Sequence, residues 1–108
     1  MSQYLLISSR DPYECRETEN FYRLAINLKN AGHGVTLFLV QNGVLPARKA
    51  AVNREFAGLI RHKITIEVDE FSAQERGLPA EGLKKGTGLA PLEHIVDALA
   101  RGTKTLWH

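Results

Sequence analysis

The stretch Ile64-Thr65-Ile66-Glu67-Val68-Asp69 decides the fold reading. Its β-branched residues suit a short strand, and Glu70-Phe71-Ser72 follows at once, where a helix can begin. The reading is a buried parallel strand over 64–68 that delivers one carboxylate, Asp69, to the mouth of the next helix. The single cysteine, Cys15, lies far upstream.

Two further runs share this character. Tyr4-Leu5-Leu6-Ile7 leads into Ser8-Ser9, and Val35-Thr36-Leu37-Phe38-Leu39-Val40 leads into Asn42-Gly43. Unbroken apolar strands imply burial on both faces, hence a parallel sheet covered by helices. Phe21, Leu24, Ala25 and Leu28 recur at helical spacing between the first two strands, with acidic residues ahead of them, Lys29 in the last turn and Gly32 as a C-cap. Val52, Phe56, Leu59 and Ile60 predict a second helix from about 47 to 61. Pro91, then Leu92, Ile95, Val96 and Leu99 on one face, and Gly102 define a last helix feeding a closing strand at 103–107. The glycine- and proline-containing segment 78–90 is expected to be a loop, with at most one short strand around Leu83. Alternation of β and α elements predicts one three-layer α/β/α domain over 1–108.

The chain has 108 residues, 44% of them hydrophobic and 24% charged, which fits one ordinary globular domain. A net charge of +2 with scattered basic residues gives no nucleic-acid or membrane footprint. No leader pattern opens the sequence and no apolar run approaches the roughly 20 residues of a bilayer span, so a cytoplasmic protein is expected. One cysteine cannot form an internal disulfide. His33, His62, His94 and His108 lack the spacing of a zinc site, so neither metal nor cofactor is expected. Gly82-Leu83-Lys84-Lys85-Gly86-Thr87-Gly88 fails the Walker order and reads as a surface turn.

Phe38-Leu39-Val40-Gln41-Asn42-Gly43-Val44, the strand ending at Asp69, and Glu75-Arg76-Gly77-Leu78 stand in an order that resembles the DsrE/TusD family of sulfur-relay proteins over nearly the whole chain. The resemblance implies a DsrEFH-like, flavodoxin-like fold with a mostly parallel sheet of about five strands. It also implies homo-oligomers, often trimers or hexamers, or complexes with related subunits, and a sulfur-carrier protein as partner. Members often carry a persulfide cysteine where Asp69 stands, so here the usual nucleophile is replaced.

A helix mouth stabilises a carboxylate as it does a thiolate, and Asp69 can simply cap that helix; Ser72 with Glu75 offers a competing capping box. Asp69, the loop Ser8-Ser9-Arg10 and the turn Asn42-Gly43 are expected to shape a pocket or docking surface at the carboxyl edge of the sheet, where Ser8, Ser9 and Arg10 could hold a small anion. Cys15 belongs to the same edge. Helix N–H groups, Arg10 and Arg16 would lower its pKa, while Asp11, Glu14 and Glu17 would raise it. The leading expectation is a DsrE-like protein of sulfur-trafficking type acting as a non-catalytic or regulatory subunit or a small-molecule binding domain. The alternative is a sulfurtransferase that carries a persulfide on Cys15.

Overall fold

A computed structural model describes residues Met1–His108. The elements run β1 (Gln3–Ser8), α1 (Glu17–Asn30), β2 (Gly34–Leu39), a 3-10 turn (Gln41–Ala47), α2 (Arg54–Arg61), β3 (Thr65–Asp69), α3 (Glu70–Glu75), a short 3-10 turn (Ala80–Gly82), β4 (Thr87–Ala90), α4 (Glu93–Ala100) and β5 (Lys104–Trp107). The sheet is parallel throughout, in the order β4-β3-β2-β1-β5. The expected α/β/α architecture with five strands is observed.

Alternation along each strand divides the core between the two faces. Leu6, Leu37, Leu39, Ile66 and Val68 point to one side, where they pack with Tyr22 and Ala25 of α1, Phe56 and Leu59 of α2 and Ala73 of α3. Leu5, Ile7 and Phe38 point to the other, where Ile95 and Ala98 of α4 cover them. Three helices therefore share one face and α4 serves the second alone. The chain walks outward from β1 to β4, then α4 carries it back across the sheet to the opposite edge, where β5 pairs with β1.

The core stripe of α1 is turned from its expected position. Thr18, Tyr22 and Ala25 are its buried residues, while Leu24 lies at the surface. Gly32, at φ +94, closes this helix in the left-handed conformation that favours glycine. The second helix is shorter than its apolar spacing suggests. Asn53 accepts a hydrogen bond from Phe56 N (2.8 Å) and so fixes the start of α2 at Arg54, leaving Val52 80% exposed. Residues 41–47 form the 3-10 turn instead, a conformation that accommodates Pro46.

The short strand expected around Leu83 lies later. Leu83 makes one isolated antiparallel bridge with Arg48, and β4 begins only after Gly86, whose φ of +91 turns the chain. Lys84 ties this region down by donating to the carbonyls of Arg48 and Ala51, the latter at 2.6 Å. Burial, and then the neighbouring Arg48 charge, pull its ammonium below the usual lysine range. The lysine is thus a clamp between loops, consistent with a structural turn.

Candidate functional site

Parallel α/β sheets present their loops, and commonly their ligands, at the carboxyl edge of the strands. Here that edge carries Ser8 and Ser9 after β1, Gln41 and Asn42 after β2, Asp69 at the end of β3, and His108 after β5.

Asp69 is the N-cap of α3. Its Oδ2 accepts from Ser72 N (3.0 Å) and from Ser72 Oγ (2.7 Å), and the residue is 6% exposed. Ser72, the competing cap in the sequence, is instead the partner of Asp69. Its Oγ also accepts from Gln41 N (2.8 Å), at a residue held at φ 53, so the cap fastens the loop after β2 to α3. The connection continues outward. Arg76 donates from a terminal nitrogen to Ser72 O (3.1 Å) and from Nε to Asn42 Oδ1 (3.0 Å), and Asn42 Nδ2 donates to Glu14 Oε1 (3.3 Å). Asp69 and the segment bearing Cys15 thus belong to one connected rim.

Ser9, Arg10, Asp11, Glu14 and Asn42 line an open polar cleft of about 260 Å³ on this rim. Among the residues expected to bind, Ser9, Arg10 and Asn42 meet there. Ser8 and Gly43 lie beneath it. The Ser8 hydroxyl is buried without a hydrogen-bond partner, and Gly43 packs against the backbone of Ser8. Two carboxylates in the wall, Asp11 and Glu14, offset the attraction of Arg10 for an anion.

Cys15 stands just ahead of α1, partly exposed, with its N–H bonded to Asp11 O (3.0 Å). Its Sγ lies 3.8 Å from His108 Nε2, and the same imidazole nitrogen is 3.1 Å from Thr18 Oγ1. The ring also packs against Phe21, with centroids 5.4 Å apart. Desolvation acts to raise the thiol pKa, but the N–H of Glu17, the hydroxyl of Thr18, the Arg10 guanidinium and the N–H of Thr18 together outweigh it and lower it. The balance left open by the sequence therefore falls toward a lowered thiol pKa. His108 and Thr18 are the residues that sequence reasoning missed. Thr18 looks like an ordinary first-turn residue, and His108 is 93 positions from Cys15.

The largest cavity lies elsewhere. It measures about 530 Å³ on the α4 face and is lined by Thr36, Glu67, His94, Asp97 and Arg101 among others, with His94 Nδ1 2.8 Å from Glu67 Oε2. Volume alone favours this cavity, but the rim brings a nucleophile, an imidazole and strand-end loops together at one place, and that chemistry makes it the candidate site. No cluster of three or more His, Cys, Asp or Glu side chains is arranged to hold a metal ion.

Sheet order and rim together define a single-sheet, five-stranded parallel α/β protein with a cysteine–histidine contact at its carboxyl edge. The fold is shared by solved structures. The YchN protein from E. coli superposes with a TM-score of 0.88 at 18% identity, covering 100% of both chains. BT1422 from Bacteroides thetaiotaomicron, a conserved protein of unknown function, gives 0.82 at 20% identity over 99% of this chain and 95% of the other. MTH1491 from Methanobacterium thermoautotrophicum, also of unknown function, gives 0.76 at 14% identity over 100% of both. At these identities the likeness establishes the fold. No protein-family model and no curated protein matches the sequence.

Proposed function

We propose that the protein is a DsrE-like protein of sulfur-trafficking type whose sulfur-carrying atom is Cys15 Sγ, at the mouth of β1, and whose Asp69 seat has become structural. The observation that carries this reading is the Cys15–His108 contact at the sheet's carboxyl edge. In such a carrier the Cys15 thiolate attacks the outer sulfur of a donor persulfide; the donor's S–S bond breaks and the donor leaves as a thiolate. An acceptor thiolate then attacks the outer sulfur on Cys15, and Cys15 departs as thiolate again. The sulfane sulfur changes hands without any external oxidant. Arg10 and the first N–H groups of α1 favour the anionic sulfur at both stages.

The test is intact mass after exposure to a small-molecule persulfide donor. The wild type is expected to gain one sulfur, about 32 Da, removed by reductant, and Cys15→Ser is expected to gain none. An unmodified wild type would overturn the carrier assignment. The reading it would leave is the non-catalytic subunit or small-molecule binding domain, which the locking of Asp69 against Ser72 favours.

Assembly with copies of itself or with related subunits belongs to the same proposal, with a sulfur-carrier protein as transfer partner. Leu92, Val96 and Leu99 project from the lone helix α4 at more than half exposure, and Trp107 at the sheet edge is 66% exposed. Surfaces of this kind commonly lie against another chain. Light scattering at micromolar concentration is expected to give a mass above the monomer, reduced by a Val96→Glu, Leu99→Glu double substitution. A wild type that is strictly monomeric would refute the assembly. No helix is long and apolar enough to cross a membrane.

A further inference from the structure

We propose that His108 is the proton acceptor of Cys15 and that Thr18 positions its ring, so that the nucleophilic site is a three-residue arrangement completed by the strand β5. The inference deepens the carrier reading above, and rests on it for the identity of the electrophile as a persulfide sulfur.

The geometry supplies each part. His108 continues the β5 ladder: its N–H donates to Ile7 O (2.9 Å), and its carbonyl accepts from Ser9 N (2.8 Å) and Ser9 Oγ (3.0 Å). These bonds fix the backbone of residue 108 on the β1 rim, and the tilted contact with Phe21 limits the ring. Nε2 then faces both Cys15 Sγ and Thr18 Oγ1, at 3.8 and 3.1 Å. As the thiol ionises, its proton passes to Nε2, and the imidazolium N–H so formed points back at the thiolate. This role requires the tautomer with Nε2 unprotonated; the Thr18 hydroxyl donates its hydrogen bond to the sulfur, and its oxygen shares the Nε2–H once the imidazolium has formed, which holds the ring in place. No bond beyond S–H is broken and no co-reactant is needed for this step.

Among the basic side chains nearby, His108 is the one with an atom in hydrogen-bonding reach of Cys15 Sγ, and the surrounding carboxylates have partners of their own. On the Cys15 loop, Asp11 Oδ1 is occupied by Tyr13 N (3.1 Å) and Glu14 Oε1 by Asn42. On α1, Glu17 Oε2 accepts from Asn20. Arg10 bears on the thiol as a fixed positive charge that supports the thiolate without accepting its proton. Both sides of the pair are thus accounted for: the β1–α1 loop and α1 supply Cys15, Thr18 and Arg10, and the residue that follows β5 supplies the imidazole.

Alkylation of Cys15 by iodoacetamide, followed from pH 5 to 10, tests the assignment without any sulfur donor. The wild type is expected to show a thiol inflection below the ordinary value of about 8.5, with His108→Gln moving it upward and slowing alkylation at pH 7 by about tenfold, the effect of one unit in thiol pKa. Thr18→Val should move it less, in the same direction. Added imidazole should restore part of the rate to His108→Ala and leave Cys15→Ser inert. Matching thermal melts of the variants separate loss of the base from loss of the fold. An identical pH profile in folded His108→Gln overturns the proposal. The two readings fail separately: a His108-dependent profile with no persulfide adduct retains the base and removes the sulfur cargo, while an adduct that forms equally in His108→Gln retains the cargo and removes the base.

Discussion

Gly43→Ala is expected to destabilise the protein by about 3 kcal/mol or more, at the upper end of what overpacking produces. A Cβ at this position would lie 2.1 Å from Ser8 O and 2.8 Å from Ser8 C, inside van der Waals contact with main-chain atoms. Neither side can move freely. Ser8 O already accepts from Val40 N (2.9 Å), which holds the exit of β2 against the end of β1, and Gly43 N donates to Val40 O (2.9 Å). Relief of the clash therefore opens the junction between β1 and β2, beneath the rim that carries Cys15 and Asn42. Against a typical domain stability of 5–15 kcal/mol, the substitution removes a large fraction. Urea unfolding followed by circular dichroism measures the effect through the midpoint. A change within 1 kcal/mol would show that the approach of the loop to Ser8 is not tight.

Asp69→Ala should cost about 2–3 kcal/mol, and Asp69→Asn distinctly less. Loss of an N-cap acceptor typically accounts for about 1 kcal/mol, and a buried group deprived of its partner for about 1–3 kcal/mol more. Ser72 is such a group: both its N–H and its hydroxyl donate to Asp69 Oδ2, and its Oγ supports Gln41. Asparagine keeps a carbonyl oxygen for the cap, whereas alanine keeps none. The two contributions overlap, because they share Ser72, so their sum is an upper bound. The loss also reaches Cys15 by way of Arg76 and Asn42, and faster hydrogen exchange in the loop after β2 would accompany the drop in stability. Equal stability of Asp69→Ala and wild type would contradict the structural role assigned to this carboxylate.

The parts of this fold that could be read in advance are those whose burial dictates the residue type. β1 and β2 are apolar on both faces because each is covered from both sides in its carboxyl half, and β3 announces itself by Ile66 and Val68. β4 could not be read. Thr87-Gly88-Leu89-Ala90 pairs only with β3, on one side, and an edge strand of four residues needs no continuous apolar run. The exposed face of α4 misled in the opposite sense, since Leu92, Val96 and Leu99 have the spacing of a core stripe but only Ile95 and Ala98 meet the sheet. At the rim, Asp69 was legible as a cap because helix capping is local in sequence. The imidazole beside Cys15 was not, because its place depends on how the last strand crosses from one sheet edge to the other.

That crossing has a temporal meaning. β5 meets β1 across roughly a hundred residues of chain, the widest loop in the molecule and one whose closure is entropically disfavoured until the intervening units have formed. A newly synthesised or partly unravelled chain consequently exposes Cys15 without the imidazole beside it. On the proposed reading, the reactivity of Cys15 would thus wait for β5 to dock on β1.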